Sequence, residues 1–468
     1  MRMMRETGVQ QEAWREGGGG AVVASIVIWW SGLFFLLIGD LGLAAEDKIG
    51  RPNVILIVAE TLGWGDLGVT GQAKFRTPRL DRFAVEGLRF TNFYAGGTEG
   101  VVSRASLLTG KHTGHARIRG NRELALASMD ETLGDLAQKA GYHTAALGKW
   151  GLGGPGSTGL PTVKGFDDWF GYLRESDATN HYPVTLWRNQ TNLFWAKNAD
   201  GRQEQYAPYL FTQAATNFVS IHRGSPFFLY LAYPLPDAPL QSPTDKPYKD
   251  ERWPKVQKTL GAMIYRLDRE VGRLLDILQR LELERRTVVI FTGATGPHAR
   301  EGIDPRFFNS TGGHRGHQGD LYDGGLRVPL LVRWPGTIKA GRVSSHLCAA
   351  WDLFPTIANL MGLAEFDRGD GISLTPSFLG RRQTRHEFLY WERHEVGGFG
   401  QGLRSGDWKL IRSGPDEPSE LYHLGRDPTE SKDVSGRYRR TLRRLERMLG
   451  EARRPSPDWP TPIDPKKD

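Results

Sequence analysis

Three short apolar runs dominate this chain: Asn53-Val-Ile-Leu-Ile-Val58, Phe227-Phe-Leu-Tyr-Leu-Ala232 and Thr287-Val-Val-Ile-Phe291. They do not alternate with polar residues, so they read as strands buried on both faces, the setting of a parallel sheet covered by helices on each side. Between the last two, Met263, Leu267, Leu274, Ile277, Leu278 and Leu281 recur at helical spacing and predict a long amphipathic helix. A further strand is expected near 144–147 and a helix near 131–140. Thr77-Pro78 predicts an N-cap with proline in the first turn, opening a helix with Leu80, Phe83, Ala84 and Leu88 on its apolar side. The fold class is therefore α/β, a mainly parallel central sheet with helices on both faces. Ligands gather where the strands of such sheets end, so chemistry is to be sought in the turns after Val58 and Phe291.

After Leu379 the pattern changes. Residues 387–392, 402–412 and 420–424 read as short, turn-bounded strands followed by a helix. The expected organisation is a targeting segment over 1–45, an α/β domain over 50–379, and a C-terminal subdomain over 380–468 with an antiparallel sheet and one helix.

At 468 residues the chain can build two domains and a sizeable core. Its net charge of +8 is unevenly spread. Arg437 to Arg454 holds eight Arg against two Glu, with Leu442, Leu445 and Leu449 at helical spacing. This stretch is either a solvated arginine face or a surface for acidic polymers such as sulfated glycans. Nucleic acid is not expected as a partner, because no zinc-finger spacing, RNP-like motif or aromatic–basic interleaving accompanies the charge. Cys348 is the one cysteine, which excludes an internal disulfide or a cysteine metal cluster.

Near the N-terminus, Arg2, Arg5 and Arg15 precede a largely apolar run over 21–38, and Gly42-Leu43-Ala44 supplies small residues for a signal peptidase. Export with cleavage is the expectation. An uncleaved anchor is the rival, since the run is about long enough to cross a bilayer core, and membrane association is expected only through this segment.

Several motifs occur in order: Pro52-Asn53 leading into the first strand, Gly63-Trp-Gly-Asp-Leu-Gly68, Val102-Ser-Arg-Ala-Ser-Leu-Leu-Thr-Gly110, Gly148-Lys-Trp-Gly-Leu-Gly153 and Gly319-Asp-Leu-Tyr-Asp-Gly-Gly-Leu-Arg-Val-Pro329. Arg333-Trp-Pro-Gly336, Asp407-Trp-Lys409 and Glu420-Leu-Tyr422 follow. Over roughly residues 50–440 this succession resembles the sulfatase family, arylsulfatase-like and of the alkaline-phosphatase-like superfamily. The resemblance implies hydrolysis of sulfuric esters by a formylglycine nucleophile, made from the Cys or Ser that opens C-x-P-S-R, with Ca²⁺ or Mg²⁺ as the metal.

Position by position, the residues that the resemblance makes catalytic are replaced. Gly100 stands at the nucleophile. Glu60 and Thr61 stand where the family places two Asp metal ligands, and Ala294 and Thr295 where it places Asp-Asn. A hard dication wants several oxygen ligands with carboxylates among them, which this set does not supply. Asp237 replaces the sulfate-facing His, Gln318 the Lys of a G-x-K-G-D loop, and Gly151 a His found in many relatives. Arg104 and Lys149 survive, either as an anion-binding pair or as structural groups bonded to backbone carbonyls.

Other candidates remain. Ser103 and Thr98 flank the missing nucleophile, but Ser103 is the ordinary Ser of the motif and is expected to make a local hydrogen bond. His314 and His317 could hold a transition metal with Asp237 or Glu60, joined by His298, or could be a spacing coincidence in a glycine-rich loop. The glycine-rich 151–159 lacks a phosphate-loop pattern and reads as a loop. The leading expectation is an exported sulfatase-family protein without hydrolytic activity, metal or cofactor, binding sulfated or anionic ligands through Arg104, Lys149 and the C-terminal arginines. An active sulfuric ester hydrolase with a remodelled site, and a structural or partner-binding envelope protein, are the alternatives.

Overall fold

The computed structural model describes residues 51–363, 369–394 and 398–464. The targeting segment expected over 1–45 lies outside them. A ten-stranded sheet is built from β1 (Asn53–Ala59), β2 (Leu88–Tyr94), β3 (His143–Lys149), β4 (Asp168–Tyr172), β5 (Thr185–Arg188), β6 (Thr191–Phe194), β7 (Phe227–Tyr233), β8 (Thr287–Gly293), β9 (Leu330–Arg333) and β10 (Arg342–Ala349). Its order is β10-β2-β9-β8-β1-β7-β3-β4-β5-β6. The centre, β8-β1-β7-β3-β4, is parallel, while β9, β5 and β6 run antiparallel to their neighbours. The three apolar runs are thus the central strands, and every residue of β1, β7 and β8 is buried.

Helices cover both faces. On one side lie α1 (Pro78–Val85), α4 (Ala207–Ile221) and α5 (Lys255–Arg280); on the other lie α2 (Gly100–Thr109), α3 (Leu133–Lys139) and α7 (Leu353–Leu360), with α6 (Asp323–Leu326) and α8 (Thr375–Phe378) as short connections. Strand alternation divides the work: Ile55, Ile57 and Ala59 pack with Phe83, Phe211, Met263 and Leu267, while Val54, Leu56 and Val58 point to the opposite layer. Two details differ from expectation. Thr77 does not cap α1; its hydroxyl bonds the Asp81 carboxylate and accepts from Gly68 N–H. Leu88 begins β2 instead of extending α1, because the helix stops at Val85 ahead of Gly87.

The C-terminal part holds the antiparallel sheet β11 (Leu389–Arg393), β12 (Gly400–Ser405), β13 (Trp408–Arg412) and β14 (Glu420–His423), and the helix α9 (Arg439–Glu451). Leu389, Trp391, Ile411 and Tyr422 face Tyr94, Leu326 and Trp351 of the main sheet's surroundings. Tyr390, Leu403, Leu410 and Leu421 face Leu445, Met448 and Leu449 of α9. A buried ionic contact joins the two parts: Lys409 Nζ meets Asp323 Oδ1 at 2.7 Å and Glu430 Oε1 at 2.8 Å. The described residues all belong to one compact unit.

Candidate functional site

The parallel strands end together, and the residues that follow them converge. Glu60 and Thr61 follow β1, Lys149 closes β3, Glu175 follows β4, Asp237 follows β7, and Ala294 and Thr295 follow β8. Gly100 begins α2, and Arg104 lies one turn further along it. This is the carboxyl edge at which ligand sites of such sheets form.

Arg104 and Lys149 are brought together, but each is already engaged. Arg104 Nη1 donates to Glu60 Oε1 at 2.7 Å and Oε2 at 2.5 Å, its Nη2 pairs with Glu175, and its Nε donates to the Trp150 carbonyl at 3.1 Å. Lys149 Nζ lies 2.9 Å from Glu60 Oε1, 3.0 Å from Glu175 Oε2 and 3.4 Å from Asp237 Oδ2. Arg300 closes the set by pairing with Asp237. Three cations therefore face three carboxylates, with side-chain exposures of 0% for Arg104, 2% for Glu60 and 7% for Lys149.

Burial of such charges costs several kcal/mol per ion unless each finds close, hydrogen-bonded partners. Burial alone pushes the Glu60 carboxyl up, but Arg104 and Lys149 outweigh it and hold the group at about 2. Burial likewise pulls Arg104 and Lys149 down, and the facing carboxylates reverse this, leaving both above their ordinary values. The pocket interior is a closed ionic knot, charged at neutral pH on both sides.

The two glycines of the site make room for it. A β-carbon on Gly100 would collide with Glu60 Oε1 and Arg104 Nη1, so the carboxylate occupies the nucleophile's place at the positive end of α2. Gly151 has φ +77°, and a β-carbon there would collide with Glu175 Oε1. The residues present do not fit the metal implied by the resemblance. Glu60 is saturated by cations, Ala294 has no ligand atom, and the Thr295 hydroxyl bonds the Gly296 carbonyl at 3.2 Å. The Lys149 ammonium, 2.9 Å from Glu60 Oε1, already neutralises the one carboxylate left at the ligand positions. Gly100 has no side-chain carbon to carry an aldehyde.

Gln318 spans Arg300 and Glu99, at 3.1 Å to each. Ser103 accepts from Gly96 N–H at 2.9 Å, a local hydrogen bond. The histidines do not assemble with Glu60 or Asp237 into a ligand set. His314 bonds the Pro428 carbonyl and Arg327, and His317 bonds the Gln318 carbonyl. His298 lies near Asp237, and burial lowers its basicity. Among the described residues one other group, His112, His115 and Asp370, has ligand-type atoms within 4.8 Å of one another. His112 Nδ1 accepts from Gly114 N–H, so the neutral ring carries its proton on Nε2, 3.6 Å from Asp370 Oδ1, and presents no lone pair to a metal there.

Sequence reasoning missed Glu175, Arg300 and Tyr230. Among the described residues the Tyr230 hydroxyl, close to Arg104, Glu60 and Glu175, has no hydrogen-bond partner, and neither does Thr61 Oγ1, while the buried rings of His181 and His298 lie against the backbone around Asp237. Glu175 reaches the site because β4 pairs with β3 in the register Lys149↔Tyr172.

Comparison with known proteins is consistent across the chain. Residues 52–363 match the Sulfatase family model, and residues 317–454 match the model of the C-terminal region of N-sulphoglucosamine sulphohydrolase. The chain is 30% identical to N-acetylgalactosamine-6-sulfatase of Mus musculus, covering 89% of each, and 30% identical to arylsulfatase G of Rattus norvegicus, covering 77% and 74%. It superimposes with a TM-score of 0.75 and 28% identity on Ps i-CgsB in complex with k-i-k-neocarrahexaose, over 88% of this chain and 95% of that one. The chain belongs to the sulfatase family.

Proposed function

We propose that this chain is an exported sulfatase-family protein that recognises sulfated or otherwise anionic glycans without hydrolysing them. The observation that carries the reading is the Glu60 carboxylate, seated at the nucleophile position and shared by Arg104 and Lys149. Sulfate-ester cleavage needs an attacking group, an electrophilic metal and a proton donor to the leaving oxygen. Here the first position is a glycine, the metal-ligand positions keep a single carboxylate, Glu60, already paired with Arg104 and Lys149, and Asp237 stands at the third, bound by Lys149 and Arg300. A sulfate entering the knot would have to displace a carboxylate already neutralising the same cations.

The relatives support the ligand class. One relative is named N-acetylgalactosamine-6-sulfatase, and one structural neighbour is in complex with k-i-k-neocarrahexaose. Export rests on the basic and apolar character of residues 1–45. Among the described residues no helix is long and apolar enough to cross a membrane.

A second reading, a hydrolase with a remodelled site, draws on the Tyr230 and Thr61 hydroxyls, unpartnered among the described residues, and on His181 and His298 beside Asp237, which could move protons. Hydrolysis of a chromogenic aryl sulfate, with and without added Ca²⁺ or Mg²⁺ and with an Arg104→Ala control, separates the two. No turnover above the control is expected. Turnover abolished by the control would establish the second reading.

A further inference from the structure

Because the ester pocket's cations are consumed internally, a sulfated ligand must find its counter-charges elsewhere. The described residues concentrate them on α9. Arg437, Arg439, Arg440, Arg443, Arg444 and Arg447 are all exposed, and none makes an ion pair among the described residues. Arg453, by contrast, turns inward to Glu392 at 3.0 Å and to Asp464. Of the two acids on the helix, Glu446 is hydrogen-bonded by Ser419 at 3.0 Å.

Geometry organises these charges. Leu445, Met448 and Leu449 form the buried stripe against the small sheet. Arg440, Arg443, Arg444 and Arg447, at i, i+3, i+4 and i+7, form a stripe on the opposite side of the helix. Along the axis they span about 10 Å. Every cation between 437 and 454 is arginine, whose planar fork pairs with two oxygens of one sulfate, whereas lysine acts as a point charge. From this arrangement we infer that the outer face of α9, an element that contributes no residue to the ester pocket, is a docking surface for a sulfated polysaccharide.

The surroundings favour a glycan over other polyanions. None of the large apolar side chains exposed on the described surface lies on α9, whose apolar stripe is already buried, so the helix has nothing to insert into a lipid interface. Single-stranded nucleic acid needs aromatic platforms, and the nearest ring, Tyr438, is spent against Trp408 at 4.9 Å.

This inference rests on the glycan-binding reading above, and the test separates the two. Binding of chondroitin 6-sulfate oligosaccharides to the full chain is titrated at low and moderate salt, for the wild type, for Arg440→Ser/Arg443→Ser/Arg444→Ser/Arg447→Ser, and for the same four positions changed to Lys. The serine variant is expected to bind at least tenfold more weakly at low salt, with a salt-dependence slope shallower by about three. The lysine variant keeps part of the affinity, which shows that the fold survives four changes on this face. A pocket variant, Arg104→Met, retains binding if it remains folded by circular dichroism. No binding of any sulfated probe by the wild type would remove the general reading. Binding lost in folded Arg104→Met but kept in the serine variant would overturn the α9 surface alone. Equal binding of desulfated chondroitin, or tighter binding of single-stranded DNA or phosphatidylglycerol vesicles, would also overturn it.

Discussion

The Glu60 carboxylate lies where a side chain on Gly100 would begin, and it is fixed there by Arg104 at 2.5 and 2.7 Å. The two positions are therefore coupled: the glycine admits the carboxylate, and the carboxylate forbids anything larger than glycine. Gly100→Ala is expected to cost about 1–3 kcal/mol as an overpacking change in a locked interior. In a Glu60→Ala background the same change should cost much less, and a double-mutant cycle by urea denaturation measures the difference. Equal penalties in both backgrounds would mean that the carboxylate is free to move aside.

Glu60→Gln keeps the shape and removes the charge that two buried cations share. Breaking a buried ionic set by deleting one partner costs about 3–5 kcal/mol, and a loss of that order is expected. The check is the urea midpoint at neutral pH. A change within 0.5 kcal/mol, the ordinary range of a surface substitution, would contradict the picture.

Two buried carboxyls give stability of opposite pH dependence. Glu60 is held at about 2, below its ordinary 4.5. Its contribution is full above the ordinary value and is lost as pH falls from about 4.5 towards 2. Burial raises Asp66 from 3.8 to about 7, so its native state prefers the proton, and stability is lost as pH rises from about 4 through 7. Asp66→Asn, which retains an acceptor for Gly63 N–H, should raise the melting temperature at pH 8 and leave it nearly unchanged at pH 4. Thermal unfolding at the two pH values decides it.

Lys409 sits between Asp323 and Glu430 with all three side chains buried. Burial and the neighbouring Asp323 push Glu430 up, against the pull of Lys409, to about 7. Lys409→Met should cost about 3–5 kcal/mol, with part recovered in Lys409→Met/Glu430→Gln because one of the two opposed carboxylates is then neutral. Differential scanning calorimetry of the wild type and both variants measures this.

The central strands were legible because burial on both faces left uninterrupted apolar runs in β1, β7 and β8. β2 was not, since Arg89, Thr91 and Asn92 interrupt it and Leu88 falls in phase with the preceding helix. At the site, the absence of a side chain at Gly100 could be read directly, as could the substitution of Glu60 for a family ligand. What Glu60 does could not, because its role depends on Arg104 and Lys149 arriving from two other elements. Glu175 was invisible for a similar reason. It is delivered by the pairing of β4 with β3, and no local pattern in Asp168–Tyr172 encodes that register.

The ionic contact between Lys409 and Asp323 also sets an order of events during synthesis. Asp323 is buried in the finished protein, yet its counter-ion lies 86 residues further along the chain. Trp391, whose indole donates to the Ala95 carbonyl, arrives 296 residues after its acceptor. A ribosome-bound chain that has emerged only as far as α7 thus lacks the cation nearest to Asp323 and carries an uncovered face beside Tyr94. All ten strands of the large sheet are out by then, yet this face stays in water until the last four strands of the chain arrive to cover it.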